Sequence, residues 1–371
     1  MPIQANNHDL KQLNKPFYIF KPKKVKKNVE AFIKKFNGEA IYSVKTNPND
    51  YVVKKIYDSG IRSFDVASLK EIKLIKSLFS NCKIYYMNPV KPYLMIQKSY
   101  FEFGVRDFSF DCNDELEKIY KATDKAKDLN LHIRISTHNN FSKVNLSKKF
   151  GIEGREASYL IRKASEISQN IGVSFHVGSQ CLSPEAYKSA IRKVSLIVRK
   201  SGVKIKFLNI GGGFPGKYSE KNLPTLTEYF EKINSEFKKN FNYSHDVKLL
   251  SEPGRVLVYD CMSLVVKVIL KKKKKLFIND GIHGHLSEIK KLALVQPVRL
   301  FRKKNKKINV VPFSFYGPTC DSNDFLKGPY FLPESIKNDD YIEIDLMGAY
   351  TLTTNNDFNG FFSKPIIFIK E

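Results

Sequence analysis

Short apolar runs alternate with amphipathic stretches over the first two-thirds of the chain. Leu69–Leu78 and Tyr187–Val198 are two of the amphipathic stretches. The apolar runs, rich in β-branched and aromatic residues, are Ala40–Val44, Phe64–Ala67, Lys83–Met87, Asp107–Phe110, His132–Ile135, Val173–Val177, Ile205–Ile210 and Val247–Leu250. Strands that alternate with helices favour right-handed βα units and a parallel sheet. Eight such units predict an α/β fold with a TIM-like (β/α)8 barrel.

Polar residues or glycines stand at the C-terminal ends of these runs, or directly after them. They are Lys45, Asp65, Asn88, Arg134, His176, Gly211–Gly213 and Glu252. Strand ends of this kind share one face of a barrel, where active sites form. Loops follow strands in any fold, which accounts for one or two polar positions. Seven positions with such specific residue types predict a functional site on this face.

The pattern changes after Arg255, where apolar β runs dominate and helical periodicity is weak. The runs are Met262–Leu270, Leu276–Ile278, Val295–Phe301, Ile308–Phe315, Tyr341–Leu346 and Ile366–Ile369. They predict a C-terminal antiparallel β domain over residues 257–371, after a barrel over residues 21–256. The segment 1–20, through its strand Phe17–Phe20, is expected to join the β domain. Lys271–Lys275 falls between two of the runs and indicates a charged hairpin tip.

The 371 residues carry a formal net charge of +26 and are 42% hydrophobic, enough for a substantial core. Such a charge can indicate nucleic acid or an anionic surface as partner. The lysines are spread through helical stretches and no nucleic-acid recognition motif is apparent, so a solvated lysine-rich surface is the preferred interpretation. We therefore expect no nucleic-acid partner.

The five cysteines are far apart and include no CxxC pair, so the spacing favours neither a disulfide framework nor a zinc site. The N-terminus lacks a basic-then-apolar signal, and no apolar run approaches the length of a membrane span. A cytoplasmic protein without membrane association is expected. His283-Gly-His285 could suggest a metal site, but the spacing suits no common one and no third ligand is apparent, so no metal is expected.

Several segments suggest a phosphorylated ring cofactor held around Lys45. The glycines 211–213 follow an apolar strand, and their backbone N–H groups could approach a phosphate. Glu252-Pro-Gly-Arg255 offers a carboxylate for a ring nitrogen and a guanidinium for the phosphate. Taken singly, a solvated lysine, a flexible glycine loop or a surface ion pair would explain each. Their combination indicates Schiff-base chemistry at Lys45.

Together with Gly317-Pro-Thr-Cys320-Asp321 and Gly348-Ala-Tyr350, these motifs resemble the fold-type III, alanine racemase-like, pyridoxal-phosphate-dependent decarboxylases of basic amino acids. The resemblance runs from Phe17 to the C-terminus. It implies pyridoxal 5′-phosphate as cofactor, covalently linked to Lys45, with His176 stacked on the ring. The cofactor-binding residues it implies are Lys45, Asp65, Arg134, His176, Ser179, Gly211, Gly212, Gly213, Glu252, Arg255 and Tyr350. The catalytic residues it implies are Lys45, Cys320, Glu252 and His176.

On the substrate side, the resemblance implies that Cys320 governs protonation of the carbanion at Cα and that Asp321 contacts the distal ammonium. It also implies a homodimer with shared active sites, in which the Cys320 loop reaches the partner's lysine. Phe358, directly before the matching segment Asn359-Gly-Phe361, is assigned to the substrate side as well. The expected reaction is decarboxylation of L-ornithine to putrescine, in polyamine biosynthesis.

Two departures from that family bear on the substrate. Ornithine decarboxylases of eukaryotes have a tyrosine where this chain has His283, and a second substrate aspartate where the ungapped equivalent is Leu292. Glu288 is the nearest acid and is expected, with His283, to take part in substrate binding. Lysine and arginine therefore remain alternative substrates, and a catalytically inactive regulator related to the decarboxylases is a further alternative.

Overall fold

In the computed structural model, the residues described are 14–146, 148–218, 222–241, 247–301, 309–356, 358–362 and 365–370. The chain divides into two compact units. The barrel unit comprises Asn28–Pro215 and Asn222–Leu257. The sheet unit comprises Met1–Lys27, Gly216–Lys221 and Val258–Glu371. Among the described residues, we find no helix with the length and apolar character needed to span a membrane.

The elements up to Val258 alternate between strands and helices. In chain order they are β1 (Phe17–Phe20), α1 (Pro22–Lys35), β2 (Glu39–Ser43), α2 (Asp50–Asp58), β3 (Ser63–Val66), α3 (Leu69–Leu78), β4 (Lys83–Tyr86), α4 (Tyr93–Phe101), β5 (Asp107–Phe110), α5 (Asn113–Ala122), β6 (Asn130–Arg134), β7 (Ser142–Val144), α6 (Gly154–Ile167), β8 (Asn170–Ser174), β9 (Ser179–Cys181), α7 (Glu185–Ser201), β10 (Phe207–Asn209), α8 (Leu226–Phe241), β11 (Lys248–Ser251) and α9 (Arg255–Val258).

The elements after Val258 are mostly strands. They are β12 (Met262–Lys272), β13 (Lys275–Ile278), α10 (Ser287–Leu292), β14 (Val298–Leu300), β15 (Val310–Tyr316), β16 (Phe325–Pro333), β17 (Tyr341–Ile344) and β18 (Ile366–Ile369).

Eight parallel strands close the barrel in the order β10, β11, β2, β3, β4, β5, β6 and β8. This confirms the predicted (β/α)8 fold, and each predicted run overlaps one of the strands. Val173–Val177 was placed about three residues too far along, because β8 begins at Asn170 and ends at Ser174. The strand therefore ends before His176, which lies in the loop after it. A cluster of Ile41, Tyr85, Met87 and Leu250 forms part of the core.

Local sequence signals account for the helix ends of the barrel unit. Ser68 caps α3, since its side chain accepts a hydrogen bond from the Glu71 backbone N–H at 3.3 Å. The Glu71 carboxylate in turn accepts from the Ala67 N–H at 2.6 Å, as in a capping box. Gly202 ends α7 with φ +70°, a conformation that a residue with a Cβ rarely adopts.

The sheet unit contains one sheet of eight strands, and β1 belongs to it as predicted. β1 pairs with β12 in antiparallel and with β18 in parallel orientation. β13 and β15 are also parallel, so the sheet is mostly antiparallel, as predicted, with two parallel pairs, β1 with β18 and β13 with β15. Lys272 pairs with Lys275 across a tight turn, which confirms the charged hairpin tip.

One strand of the sheet unit, β16, has no counterpart in the sequence prediction. Its sequence, Phe325-Leu-Lys-Gly-Pro-Tyr-Phe-Leu-Pro333, contains glycine and two prolines, which normally mark turns. β16 stands last in the order β14, β17, β12, β13, β15, β16. Proline is tolerated in such an outer strand, because its missing N–H is not needed for a neighbour on the far side. Ile308, the first residue of another predicted run, lies outside the described residues.

Candidate active site

Lys45 lies at the mouth of the barrel, in a single 3-10 turn of residues Val44–Thr46 that follows β2 directly. Its ammonium contacts the Asp65 carboxylate of the neighbouring strand β3. Ser43 and Asp65 are partners in the register between these strands. The Ser43 hydroxyl lies 2.8 Å from Asp65 Oδ2 and 3.4 Å from Lys45 Nζ. Asp65 and Ser43 thus fix the position of the amine, and the sequence analysis missed Ser43.

Glu252 follows β11 and is buried, with 5% of its surface exposed. The Asn209 amide, at the end of β10, donates to Glu252 Oε1 at 2.7 Å. The oxygen of the same amide accepts from the Gly211 N–H at 2.9 Å. Burial, and then the charge of Asp65, raise the pKa of Glu252 to about 7. Asn209 therefore orients the carboxylate and links it to the glycine loop. Sequence reasoning missed Asn209, although it directly precedes Ile210 and the glycines.

Arg134 and His176 are two further titratable groups at this end of the barrel. Arg134 is the last residue of β6, and its charge acts on Glu252 and Asp65. Burial, and then the charges of Arg134 and Lys45, lower the pKa of His176 well below its usual value. The Gly178 N–H donates to His176 Nδ1 at 2.9 Å, so the remaining proton of the neutral ring is on Nε2. A neutral, flat imidazole results.

The glycine loop carries backbone conformations that need glycine. Gly211 has φ +67° and Gly213 has φ +105°. A Cβ on Gly212 would lie 2.5 Å from the Glu252 carbonyl oxygen, so even this position tolerates no side chain. The Arg255 guanidinium donates to Ser179 Oγ at 3.1 Å. The structure thus brings the predicted phosphate ligands Ser179 and Arg255 together in the barrel unit.

The remaining predicted cofactor ligand, Tyr350, belongs to the sheet unit and has φ +65°. The sheet unit also contains the predicted substrate-side residues. His283 Nε2 lies 2.8 Å from Asp321 Oδ2, and the His283 ring lies 4.6 Å from the Phe358 ring. Cys320 is exposed, and its thiol lies 3.3 Å from Asn359 Oδ1. The structure therefore brings His283, Asp321 and Phe358 together, as well as Cys320 and Asn359.

Glu288 and Leu292 lie at opposite ends of the short helix α10, and both are buried. Glu288 is 7% exposed, whereas the side chains of Asp321 and His283 are 27% and 23% exposed. The participation of Glu288 in substrate binding stays a prediction.

Asp324 and Asp280 hold the loops of the sheet unit in place. Asp324 is 3% exposed, and its carboxylate accepts from the Ile282 N–H at 2.8 Å and from the Thr319 hydroxyl at 2.6 Å. It thereby connects the loop of His283 to the loop of Cys320. Asp280 Oδ2 lies 2.7 Å from His285 Nδ1. The sequence analysis assigned Asp324 no role.

His283 and His285 are each paired with a carboxylate, Asp321 and Asp280 respectively. Within the parts of the chain that the structure describes, no group of three or more histidine, cysteine or acidic side chains is placed to hold a metal ion. The five cysteines, all in described segments, are free thiols.

The residues of the barrel unit fit the pyridoxal phosphate that the resemblance implies. A primary amine, Lys45, lies within reach of a carboxylate. The guanidinium of Arg255 and the hydroxyl of Ser179 form a donor pair for a phosphate, next to a glycine loop. Glu252 is a buried carboxylate suited to a pyridinium nitrogen, and the neutral His176 ring suits stacking. The chemistry of this donor set agrees with a phosphorylated pyridine ring.

Comparisons with known proteins agree with pyridoxal phosphate as the cofactor. The family model for the pyridoxal-binding domain of pyridoxal-dependent decarboxylases matches residues 22–259. The lysine/ornithine decarboxylase of Selenomonas ruminantium is 32% identical over 97% of this chain and 91% of its own length. Antizyme inhibitor 2 of Xenopus laevis is 33% identical over 88% of this chain and 74% of its own length.

Among solved structures, the arginine decarboxylase of Paramecium bursaria Chlorella virus bound to agmatine superposes with a TM-score of 0.86. It is 28% identical, and the match covers 98% of this chain and 99% of the viral chain. The amine, the buried carboxylate, the phosphate ligands and these similarities lead to one conclusion. The chain belongs to the pyridoxal-dependent decarboxylases, the fold-type III enzymes that act on basic amino acids.

Proposed function

We propose that this enzyme decarboxylates a basic L-amino acid, with L-ornithine as substrate and putrescine as product, in polyamine biosynthesis. The observation that supports the reaction best is the contact of Lys45 with Asp65, in a barrel mouth that also holds the buried carboxylate Glu252. The choice of substrate rests on Asp321, because an aspartate suits a substrate whose distal group is a cation. The relative from Selenomonas, a lysine/ornithine decarboxylase by name, supports the same substrate class.

Each residue contributes a defined function to the proposed reaction. Bound pyridoxal phosphate supplies an electron sink for the electron pair left at Cα when CO2 departs. Lys45 would hold the cofactor through its amine. Glu252 would keep a proton at the pyridine nitrogen, and Arg255 with Ser179 would hold the phosphate. Cys320 delivers a proton to Cα, and Asp321 binds the distal ammonium.

The test is to incubate purified protein, loaded with pyridoxal phosphate, with four amino acids in separate reactions. L-Ornithine, L-lysine, L-arginine and meso-diaminopimelate are supplied, and CO2 release is followed with identification of the amine. Putrescine as the dominant product supports the proposal. Cadaverine or agmatine as the dominant product would support the decarboxylation but show that the substrate is L-lysine or L-arginine instead of L-ornithine. Absence of turnover with cofactor bound would contradict the proposed function.

We propose further that the enzyme is a cytoplasmic homodimer with shared active sites, on the basis of the family resemblance of the Cys320 loop. Mixing two inactive variants, Lys45→Ala and Cys320→Ala, tests the sharing. If each site combines Lys45 of one subunit with Cys320 of the other, the mixed dimer regains one intact site and therefore activity. Mixtures that exchange subunits and stay inactive would contradict shared sites.

An inactive regulator is the second candidate, because antizyme inhibitor 2 is among the similar proteins. Lys45, Glu252, Arg255, Cys320 and Asp321 are all present in this chain. A protein that had lost catalysis would be under no requirement to keep this complete set. The turnover assay above separates the two candidates directly.

A further inference from the structure

The carboxylate of Asp321 accepts a hydrogen bond on each of its two oxygens within the sheet unit. Oδ1 accepts from the Asn323 backbone N–H at 2.9 Å. Oδ2 lies 2.8 Å from Nε2 of His283. These contacts lower the pKa of Asp321, the backbone N–H of Asn323 more than His283, so the group is an anion at neutral pH. Each oxygen thus keeps one further lone pair for a ligand.

The identity of the donor follows from the surroundings of the His283 ring. A carboxylate anion only accepts, so His283 Nε2 carries a proton. On the other side of the ring, the Asn356 amide nitrogen lies 3.5 Å from His283 Nδ1. An amide nitrogen is a donor, which makes Nδ1 an acceptor. By hydrogen bonding, the His283 ring therefore accepts from Asn356 and donates to Asp321.

Packing holds this ring in one orientation. The Phe358 ring lies against it, with 4.6 Å between the ring centres and 34° between the planes. The backbone N–H of Asn356 donates to the His283 carbonyl oxygen at 2.9 Å. Contacts on the ring and on the backbone therefore fix His283, and His283 together with Asn323 fixes the plane of the Asp321 carboxylate.

A carboxylate held in this way favours one kind of cation over another. An ammonium is a compact charge with three rotatable donors, and a single acceptor lone pair is enough to bind it. A guanidinium binds most strongly as a planar fork, with two parallel N–H···O bonds to both oxygens of a carboxylate. For such a fork, both remaining lone pairs of Asp321 would have to face the guanidinium at once, in the plane that His283 and Asn323 fix, whereas an ammonium needs only one of them.

We propose that His283 is a specificity-determining residue, which orients Asp321 so that the site takes amino acids ending in an ammonium and disfavours those ending in a guanidinium. This inference rests on the proposed function, in which Asp321 contacts the distal cation of the substrate. The substrate class is then the α,ω-diamino acids, L-ornithine and L-lysine, rather than L-arginine.

The test compares kcat/KM for L-ornithine, L-lysine and L-arginine in the wild type and in His283→Phe. Phenylalanine keeps a ring against Phe358 and removes the donor to Asp321. The wild type is expected to prefer the ammonium substrates. In His283→Phe the ratio of kcat/KM for these substrates to kcat/KM for L-arginine is expected to fall about tenfold, because one charged hydrogen bond is lost. The loss for the ammonium substrates is expected in KM, with kcat changed less than about threefold, because the bond lies away from Cα.

Two further variants serve as a partial rescue and as a control for His283→Phe. His283→Gln retains an amide donor and is expected to recover part of the preference, and it also serves if His283→Phe does not fold. His138→Phe is the matched control, because His138 also pairs with a carboxylate, Glu153, at 2.6 Å, on the surface of the barrel unit. This control is expected to leave the preference unchanged.

Several results would overturn the inference. The first is a wild type that prefers L-arginine. The second is a preference for the ammonium substrates that His283→Phe leaves unchanged, and the third is a change of that preference in His138→Phe as large as in His283→Phe. In each of these cases the protein still decarboxylates a basic amino acid, so the proposed reaction survives, and a preference for L-arginine changes only the proposed substrate. Absence of turnover with every substrate would instead refute the proposed function, and this inference with it.

Discussion

The two clusters of predicted site residues differ most in their access to water. In the barrel unit, Asp65 and Glu252 are 2% and 5% exposed. In the sheet unit, the Asp321 side chain is 27% exposed and Cys320 is exposed. Charges interact strongly where water is excluded and weakly where it is present. The first cluster is suited to chemistry on a bound group, and the second to recognition of a charged ligand.

The causes of the pKa shifts also differ between the two clusters. Burial is the main cause of the raised pKa of Glu252 and of the lowered pKa of His176. The lowered pKa of Asp321 has a local cause, the hydrogen bonds from Asn323 and His283. Substitutions in the barrel cluster should therefore change reactivity and stability, whereas substitution of Asp321 in the sheet cluster should change affinity. Four variants test this contrast, in order of decreasing effect.

Lys45→Ala should have the largest effect, because no other group can replace the amine that attaches the cofactor. We expect loss of the visible absorbance band of the bound cofactor and a fall in turnover of more than about 10³-fold. Absorbance spectra and CO2 release measure the two effects. Lys54→Ala, at an exposed lysine of α2, is the control. An unchanged band with unchanged turnover would refute the role of Lys45.

Glu252→Gln should change how stability depends on pH in the cofactor-free protein. The pKa of Glu252 is about 7 in the folded state and about 4.3 in an unfolded chain. Between these values the folded state binds the extra proton, so the free energy of unfolding falls as pH rises. The variant should lack this fall, on the order of 3 kcal/mol between pH 4 and pH 8.

Denaturant unfolding at several pH values measures the effect of Glu252→Gln. Glu231→Gln, at an exposed position of α8, is the matched control and should keep the wild-type slope. With cofactor bound, turnover of Glu252→Gln should fall about 10²-fold, because the electron sink loses its counter-charge. Equal slopes in the wild type and the variant would show that Glu252 is ionised throughout this range.

Asp321→Asn should raise KM for basic amino acids by about 10- to 100-fold, the range for a lost charged hydrogen bond. We expect kcat to change less, because the site of decarboxylation is the other end of the substrate. Steady-state kinetics measures both. Asp339→Asn, whose carboxylate forms an exposed ion pair with Lys267, should have no effect on either. A fall in kcat alone would contradict a role in recognition.

Ser43→Ala should have the smallest effect of the four. It removes a 2.8 Å hydrogen bond to Asp65, so the free energy of unfolding should fall by about 1–3 kcal/mol, the cost of a buried acceptor that loses a donor. Ser174→Ala is the comparison, since the Ser174 hydroxyl donates only a 3.4 Å bond to a carbonyl. An equal loss in both variants would show that the Asp65 contact has no special value.

The sequence predicted the elements of the barrel better than those of the sheet unit. Asp107–Phe110 and Leu69–Leu78 were predicted with their observed ends. β16 was missed, because its prolines indicate turns unless the strand is known to be an outer one. The orientation of β1 against β18 was missed as well, because pairing between distant segments leaves no periodic signal in either.

Supporting residues of the site were the hardest to predict. Lys45, Glu252 and the glycines stand out through their motifs. Asn209 and Ser43 are common residue types, and only the contacts across strands reveal that one donates to Glu252 and the other to Asp65. Asp324 follows the predicted motif by three residues, yet its role depends on the Ile282 N–H, 42 positions away in the sequence.

Alternation of apolar and polar residues determined by itself that this chain forms a (β/α)8 barrel and a β domain, because strand and helix periods are local properties. Motif chemistry predicted the amine, the acids and the phosphate ligands of the site. Tertiary structure alone decided which oxygen of Asp321 faces His283 and which groups surround Glu252. Burial and hydrogen-bond direction arise from segments far apart in sequence, so they exist only once the chain has folded.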